Sequence, residues 1–272
     1  MESDKDIEKA KVWLLKKAKK VAAKKGTRSA FEGGILAAAA PNAVLLEMNC
    51  ETDFAAKETN FTSVLRDIAK TLQGRPSSDV EEILRLPHSS PTVGGVAVSD
   101  THQAIETLTG ILKENVKLRR ALTVTPQPDV INFSYVHGSL DSSTPPIGRI
   151  GVLLSLKLTP FPEKIVKSLN TMANNFCVQI AVNSPQALYP DPSQTFSKGE
   201  DQETEPIFVE QEYLFDSSVT VGKEIQKFQK RMGYNVELVG FQRWELAEGI
   251  ERTEANLAND VQALLKESSK QS

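Results

Sequence analysis

The period of the apolar residues changes abruptly at one place in this chain. Ala43-Val44-Leu45-Leu46 is a continuous apolar run of the length of a buried strand, and it gives way to polar residues from Glu47 onward. Downstream, Phe61, Val64, Leu65, Ile68, Ala69 and Leu72 recur at the i, i+3, i+4, i+7 spacing of a helix face. Thr52-Asp53-Phe54 therefore stands where a strand hands over to a helix. Thr52 is placed to cap that helix by accepting a hydrogen bond from a free backbone N–H, and Asp53 falls in the first turn, where the helix dipole favours a negative charge. Phe54 projects from the same turn. It lies seven residues before Phe61, so on pattern alone it extends the core stripe.

Elsewhere the pattern predicts alternating strands and amphipathic helices. Asp4–Lys25 reads as one helix, with Ile7, Ala10, Leu14, Ala18 and Val21 on one side and a Lys-rich opposite face, either solvated or docked on a partner. Gly26–Gly34 is a connector. After the Phe61–Leu72 helix, Gly74-Arg75-Pro76 is a break, and Ser78…Glu81 has capping-box spacing for a short helix that ends by Pro87. Gly94-Gly95 precedes a longer helix opened by Asp100…Gln103, with Ala104, Ile105, Leu108, Ile111, Leu112 and Val116 as its stripe and Arg119-Arg120 at its end.

Val130–His137 alternates as a half-buried antiparallel strand does, and so does Ile150–Lys157. A helix is predicted from Pro162 with Ile165, Val166, Leu169, Met172 and Phe176 inward, followed by a strand through Val178, Ile180 and Val182. Tyr189–Pro206 is Pro- and Ser-rich without periodicity, a surface loop. An element at Thr220–Met232, a strand from Val236 past Gly240 to Trp244, and a final helix from Thr253 to Lys266 complete the chain. The strand–turn–helix order occurs at Ala43–Leu72 and again at Ile150–Phe176. The expected fold is thus α+β: two related lobes of antiparallel sheet with packed helices, residues 26–128 and 129–272, preceded by the basic helix of residues 1–25.

Composition narrows the function more than the fold. With 272 residues, 40% hydrophobic and 25% charged, the chain has the make-up of a soluble globular protein. Its net charge of −3 argues against general nucleic-acid binding, which calls for a basic stripe to release phosphate counterions. The exception is Met1–Arg28, where ten Lys and Arg stand against four acidic residues. Cys50 and Cys177 fall at strand or strand-end positions without metal-ligand spacing, and free buried thiols are expected. No run approaches the length of a membrane helix and no secretory h-region is present.

The three histidines, His88, His102 and His137, form no metal-ligand spacing, and no cofactor is expected. The chain carries no G-x-x-x-x-G-K-[ST] loop, so no nucleotide is expected to bind to it directly. No nucleophile setting singles out a serine, and paired carboxylates such as Glu81-Glu82 lie on an exposed helix. An enzyme is therefore not expected.

The stretch NCETDF, followed by Ala55-Ala56, resembles the Thr-Asp-Phe-Val signature of translation elongation factor Ts. Further family-like stretches follow in order: KENVKLRR at 113–120, YVHG at 135–138, GRIGVLLSLK at 148–157, VQIAVNSPQAL at 178–188 and RWELAEGIE at 243–251. The resemblance covers about Lys24 to Gln271.

It implies a guanine-nucleotide exchange factor whose partner is the GTPase elongation factor Tu. Thr52, Asp53 and Phe54 would be the partner-binding residues, with Asp53 and Phe54 carrying the contact that disrupts magnesium binding in the partner. Leu112, Lys113 and Gln179 would be secondary contacts, at places where the family more often has Ile-Gly and His; Ala55 replaces the usual Val. Residues 6–18, DIEKAKVWLLKKA, resemble the third helix of the family's ubiquitin-associated-like N-terminal module. The lack of a long helical hairpin near 189–206 resembles the shorter animal mitochondrial form, which implies the mitochondrial matrix. Gly148, Arg149, Gly151 and Glu248-Gly249 are expected to be structural. The competing functional reading is an RNA- or ribosome-binding protein acting through the basic N-terminal helix.

Overall fold

Strand β7 (Ile147–Thr159) is the hub of the molecule. In the computed structural model, which describes residues 13, 16, 28–162, 164–190 and 207–250, it pairs along one edge with β6 (Val130–Asp141). Along the other edge it takes β10 (Asn235–Glu245) at residues 150–159 and β1 (Glu32–Ala38) at residues 147–148. β1 pairs with β2 (Ala43–Cys50), and β2 with β5 (Lys117–Val124). All pairings in this six-stranded sheet are antiparallel. β1 and β2 are buried on both faces, which is why both read as nearly continuous apolar runs.

Three clusters make up the core. Leu36, Val44, Leu46 and Met48 pack beneath α1 (Asp53–Ala56), α2 (Thr59–Gly74), α3 (Val80–Arg85) and α4 (Thr101–Leu112). Val152, Leu154, Leu156 and Leu158 pack with α5 (Lys167–Asn183), a 3-10 turn at Phe208–Glu210 and α6 (Val221–Met232). Ile35, Ala37, Ala43 and Leu45 point to the opposite face of β1 and β2 and meet Leu153 and Leu246. Gly151 has to be glycine here, because a Cβ would lie 2.5 Å from Ile35 Cγ2 and 2.7 Å from Leu45 Cδ1. Two small hairpins, β3 (Thr92–Val93) with β4 (Val96–Ala97) and β8 (Glu212–Tyr213) with β9 (Asp216–Thr220), complete the described elements.

The α+β class is as expected, but several elements differ from the pattern reading. Val178, Ile180 and Val182 continue α5 and form no strand; the stripe Leu169, Met172, Ala173, Phe176, Cys177 and Ile180 is helical, and Val182 is exposed. Cys177 is accordingly a helix residue, a free buried thiol like Cys50. That helix begins at Lys167, five residues after Pro162. The helix from Thr101 ends at Leu112, and Arg119-Arg120 lie on β5. The short helix is capped by Asp79, which accepts from Glu81 N and Glu82 N, while Ser78 Oγ accepts from Thr123 N.

β2 runs on through Glu47 to Cys50, and the first helix breaks at Lys57-Glu58 into α1 and α2. Most of the basic helix at 4–25, most of the loop at 189–206 and the helix at 253–266 lie outside the described residues.

Candidate functional site

The strand-to-helix handover forms as its residues dictate. Thr52 has extended backbone angles and caps α1, its Oγ1 accepting from Ala55 N at 3.2 Å. α1 is one turn long. Ala55 and Ala56 are buried beneath it and fix its orientation, which leaves Phe54 pointing away from the core with 79% of its surface exposed. The core-stripe reading of Phe54 is therefore wrong. Because the helix restarts at Thr59, the seven-residue spacing to Phe61 does not put the two rings on one face.

Asp53 sits beside Phe54 and accepts from Lys57 Nζ at 2.8 Å, a hydrogen bond that lowers its carboxyl below the ordinary carboxylate range.

Behind this turn lies the end of α4. Lys113 caps it in the left-handed region, φ 58° and ψ 29°, and the chain reverses so that Glu114 faces Thr52. Glu114 Oε2 accepts from Thr52 N at 3.0 Å and Oε1 accepts from Thr52 Oγ1 at 2.7 Å. Glu51 returns the contact, its Oε1 accepting from Asn115 N at 2.6 Å and its Oε2 pairing with Arg28 at 3.3 Å. Asn115 Nδ2 in turn donates to Arg28 O at 2.6 Å. The Cys50 thiol donates to Thr52 O at 3.1 Å; burial, and after it the Glu114 charge, push this thiol up to about 12.

Lys113 thus occupies a corner that suits glycine. A left-handed residue with a side chain costs about 1–2 kcal/mol, partly offset by the greater chain entropy that glycine loses on folding. Lys113→Gly is expected to stabilise the fold by about 0.5–1 kcal/mol, read as a rise in the thermal unfolding midpoint. A fall would mean that the lysine side chain makes a stabilising contact that outweighs its backbone strain.

The sequence-predicted residues thus fall into two groups. Thr52, Asp53, Phe54, Leu112 and Lys113 converge at the ends of α1 and α4, with Lys113 exposed and Leu112 packed partly on the core. Gln179 does not join them. It is fully buried in the second core, where Nε2 donates to Gln211 Oε1 and Glu212 O, and Oε1 accepts from Leu214 N. It holds the β8–β9 hairpin, whose Leu214 and Phe215 are exposed, and in this conformation it has no surface to offer a partner.

Two features were missed in the sequence. One is the Glu51–Glu114 exchange of hydrogen bonds, which the apolar pattern did not signal because it ran the helix on past Glu114 to Arg119-Arg120. The other is Glu47, fully buried on β2, which accepts from Arg119 Nη1 at 3.0 and 2.9 Å, Arg120 Nε at 2.6 Å, Asn49 Nδ2 at 3.1 Å and Ala247 N at 2.8 Å. No group of three or more His, Cys, Asp or Glu placed to hold a metal is found among the described residues.

Residues 51–201 match the family model described as Elongation factor TS. The chain is 30% identical to the elongation factor Ts of Clostridium novyi, over 96% of this chain and 90% of that one. It is 29% identical to that of Clostridium acetobutylicum, over 98% of this chain and 91% of that one, and 29% identical to that of Rhodospirillum rubrum, over 96% and 89%. The matched segment includes the whole Thr52–Phe54 turn and the α4 corner.

Proposed function

Because the chain belongs to the elongation factor Ts family, we propose that it is a guanine-nucleotide exchange factor of translation elongation: it binds elongation factor Tu carrying GDP, weakens that partner's hold on GDP and Mg²⁺, and is displaced when GTP binds. The observation that carries this reading is the exposed ring of Phe54 on a turn braced from behind. Burying such a ring is worth about 1.5–3 kcal/mol. If the pocket that receives it exists only in the conformation of the partner that has let go of its nucleotide, that energy shifts the partner toward that conformation by the same amount. Asp53 supplies a charge next to the wedge, and Lys113 and Leu112 form the adjoining rim.

On this reading the protein acts by binding and makes or breaks no covalent bond. The test is the release of fluorescent GDP from elongation factor Tu with and without this chain: acceleration that saturates with its concentration supports the reading, and an unchanged release rate rejects it.

We further propose the mitochondrial matrix as its compartment. The support is the sequence between α5 and the 3-10 turn, residues 184–207, which is too short for the long helical hairpin expected of bacterial members, although the relatives named above are bacterial. Fractionation that finds the protein outside mitochondria would reject the assignment.

A further inference from the structure

We propose that Glu114 is a positioning residue for exchange, the group that sets Phe54 in place and joins the Phe54 turn to the Lys113 corner so that the two meet the partner as one surface. This rests on the exchange reading above.

Four observations carry it. First, Thr52 offers two donors, its N–H and its hydroxyl, and both go to the two oxygens of the single Glu114 carboxylate, at 3.0 and 2.7 Å. The same hydroxyl oxygen accepts from Ala55 N, so Glu114 holds the cap that orients the one-turn helix carrying Phe54. Second, the contact is reciprocal. Glu51 binds the backbone N–H of Asn115 while Glu114 binds that of Thr52, so two adjacent residues on each side are cross-tied over more than sixty positions of sequence.

Third, α1 has only four residues and too few hydrogen bonds of its own to hold a geometry. Its orientation must come from outside, and the ties include the buried Ala55 and Ala56, the Cys50 thiol that donates to Thr52 O, and the Glu114 carboxylate, which alone among them holds the capping hydroxyl. Fourth, Glu114 follows directly on Lys113, whose left-handed backbone turns the chain toward Thr52. Displacing one corner therefore pulls the other. Hydrogen bonds to a charged group are among the stronger ones, and loss of this carboxylate strands two donors at once.

The test must separate positioning from general support of the fold. A double-mutant cycle of Glu114→Ala and Phe54→Ala does so, with saturating GDP-release rates measured on the full chain and folding checked by circular dichroism and thermal unfolding. Glu114→Ala alone is expected to lower the saturating rate about tenfold. Added to Phe54→Ala it should lower the rate no further, because a mispositioned ring and a missing ring fail in the same way. Glu114→Gln keeps an acceptor for Thr52 N and a donor for its hydroxyl, so its rate should lie between Glu114→Ala and the unmodified chain; it also serves if the alanine variant does not fold.

A folded Glu114 variant with the unmodified rate, or a double variant slowed by the product of the two single effects, would overturn the proposal. If Phe54→Ala itself releases GDP at the unmodified rate, the wedge reading fails and this proposal with it. A slow Phe54→Ala beside a fast Glu114→Ala sinks the positioning role alone.

Discussion

Phe54→Ala should leave the chain as stable as before and slow the GDP release it stimulates by about tenfold to a hundredfold. The two halves of this expectation have separate causes. The ring is mostly in solvent, so removing it strips little from the core, and surface substitutions of this kind stay within about 0.5 kcal/mol. The kinetic loss follows from the burial the ring would gain in the partner, about 1.5–3 kcal/mol, at about 1.4 kcal/mol for each factor of ten. Phe54→Leu should keep part of the rate through its apolar volume. Binding to nucleotide-free partner should fall as well, but by less than the coupling between this chain and GDP. Stopped-flow release with labelled GDP, beside thermal unfolding of each variant, reads both halves; a stable Phe54→Ala protein with the unmodified release rate would remove Phe54 from the mechanism.

Glu47→Ala should be the most damaging substitution to the fold, at about 3–5 kcal/mol, which is the usual effect of removing one partner from a buried ion pair. Here the loss takes an acceptor from Arg119, Arg120, Asn49 Nδ2 and Ala247 N together. The midpoint of thermal unfolding should drop by about 10 °C, and urea denaturation gives the free energy directly. A change below about 1 kcal/mol would mean that water replaces the carboxylate without penalty.

The cluster does more than stabilise. Arg120 Nη2 donates to Glu245 O at 2.9 Å and its guanidinium stacks 4.4 Å over the Trp244 ring, while Arg119 Nη2 donates to Glu248 O. The end of β10 and the turn after it are thereby fastened to β5 and β2.

That fastening also explains the main misreading of the pattern. Both arginines reach Glu47 because β5 is irregular there: Glu47 pairs with Arg120 and Met48 with Leu118, which leaves Arg119 as an extra residue. A regular strand would send neighbouring side chains to opposite faces. The extra residue also spaces the buried Leu118 and Ala121 three apart, which is a helical interval, so the segment reads as a continuation of α4.

Val178, Ile180 and Val182 mislead in the opposite sense. Three alternating β-branched residues look like a strand, but only Ile180 is inward, on a stripe that begins at Leu169. The strands that alternate or run apolar throughout, β2, β6, β7 and β10, were legible, and so was the Thr52 cap. Phe54 was not legible from its spacing, since the break at Lys57-Glu58 leaves no signal in the apolar pattern. Glu114, Glu51 and Glu47 were illegible because a carboxylate's partners lie far along the chain, and composition gives it the same appearance as a solvated charge.

If this chain drives GDP off its partner, GDP must weaken the partner's hold on this chain by the same factor, because the coupling between two ligands of one protein is reciprocal. The direct measurement is the affinity of the full chain for elongation factor Tu by titration calorimetry, once with nucleotide-free partner and once with partner saturated by GDP. The expected result is weaker binding in the presence of GDP, by a ratio equal to the loss of GDP affinity that the chain causes and smaller for Phe54→Ala. Equal affinities with and without GDP would contradict exchange by this chain.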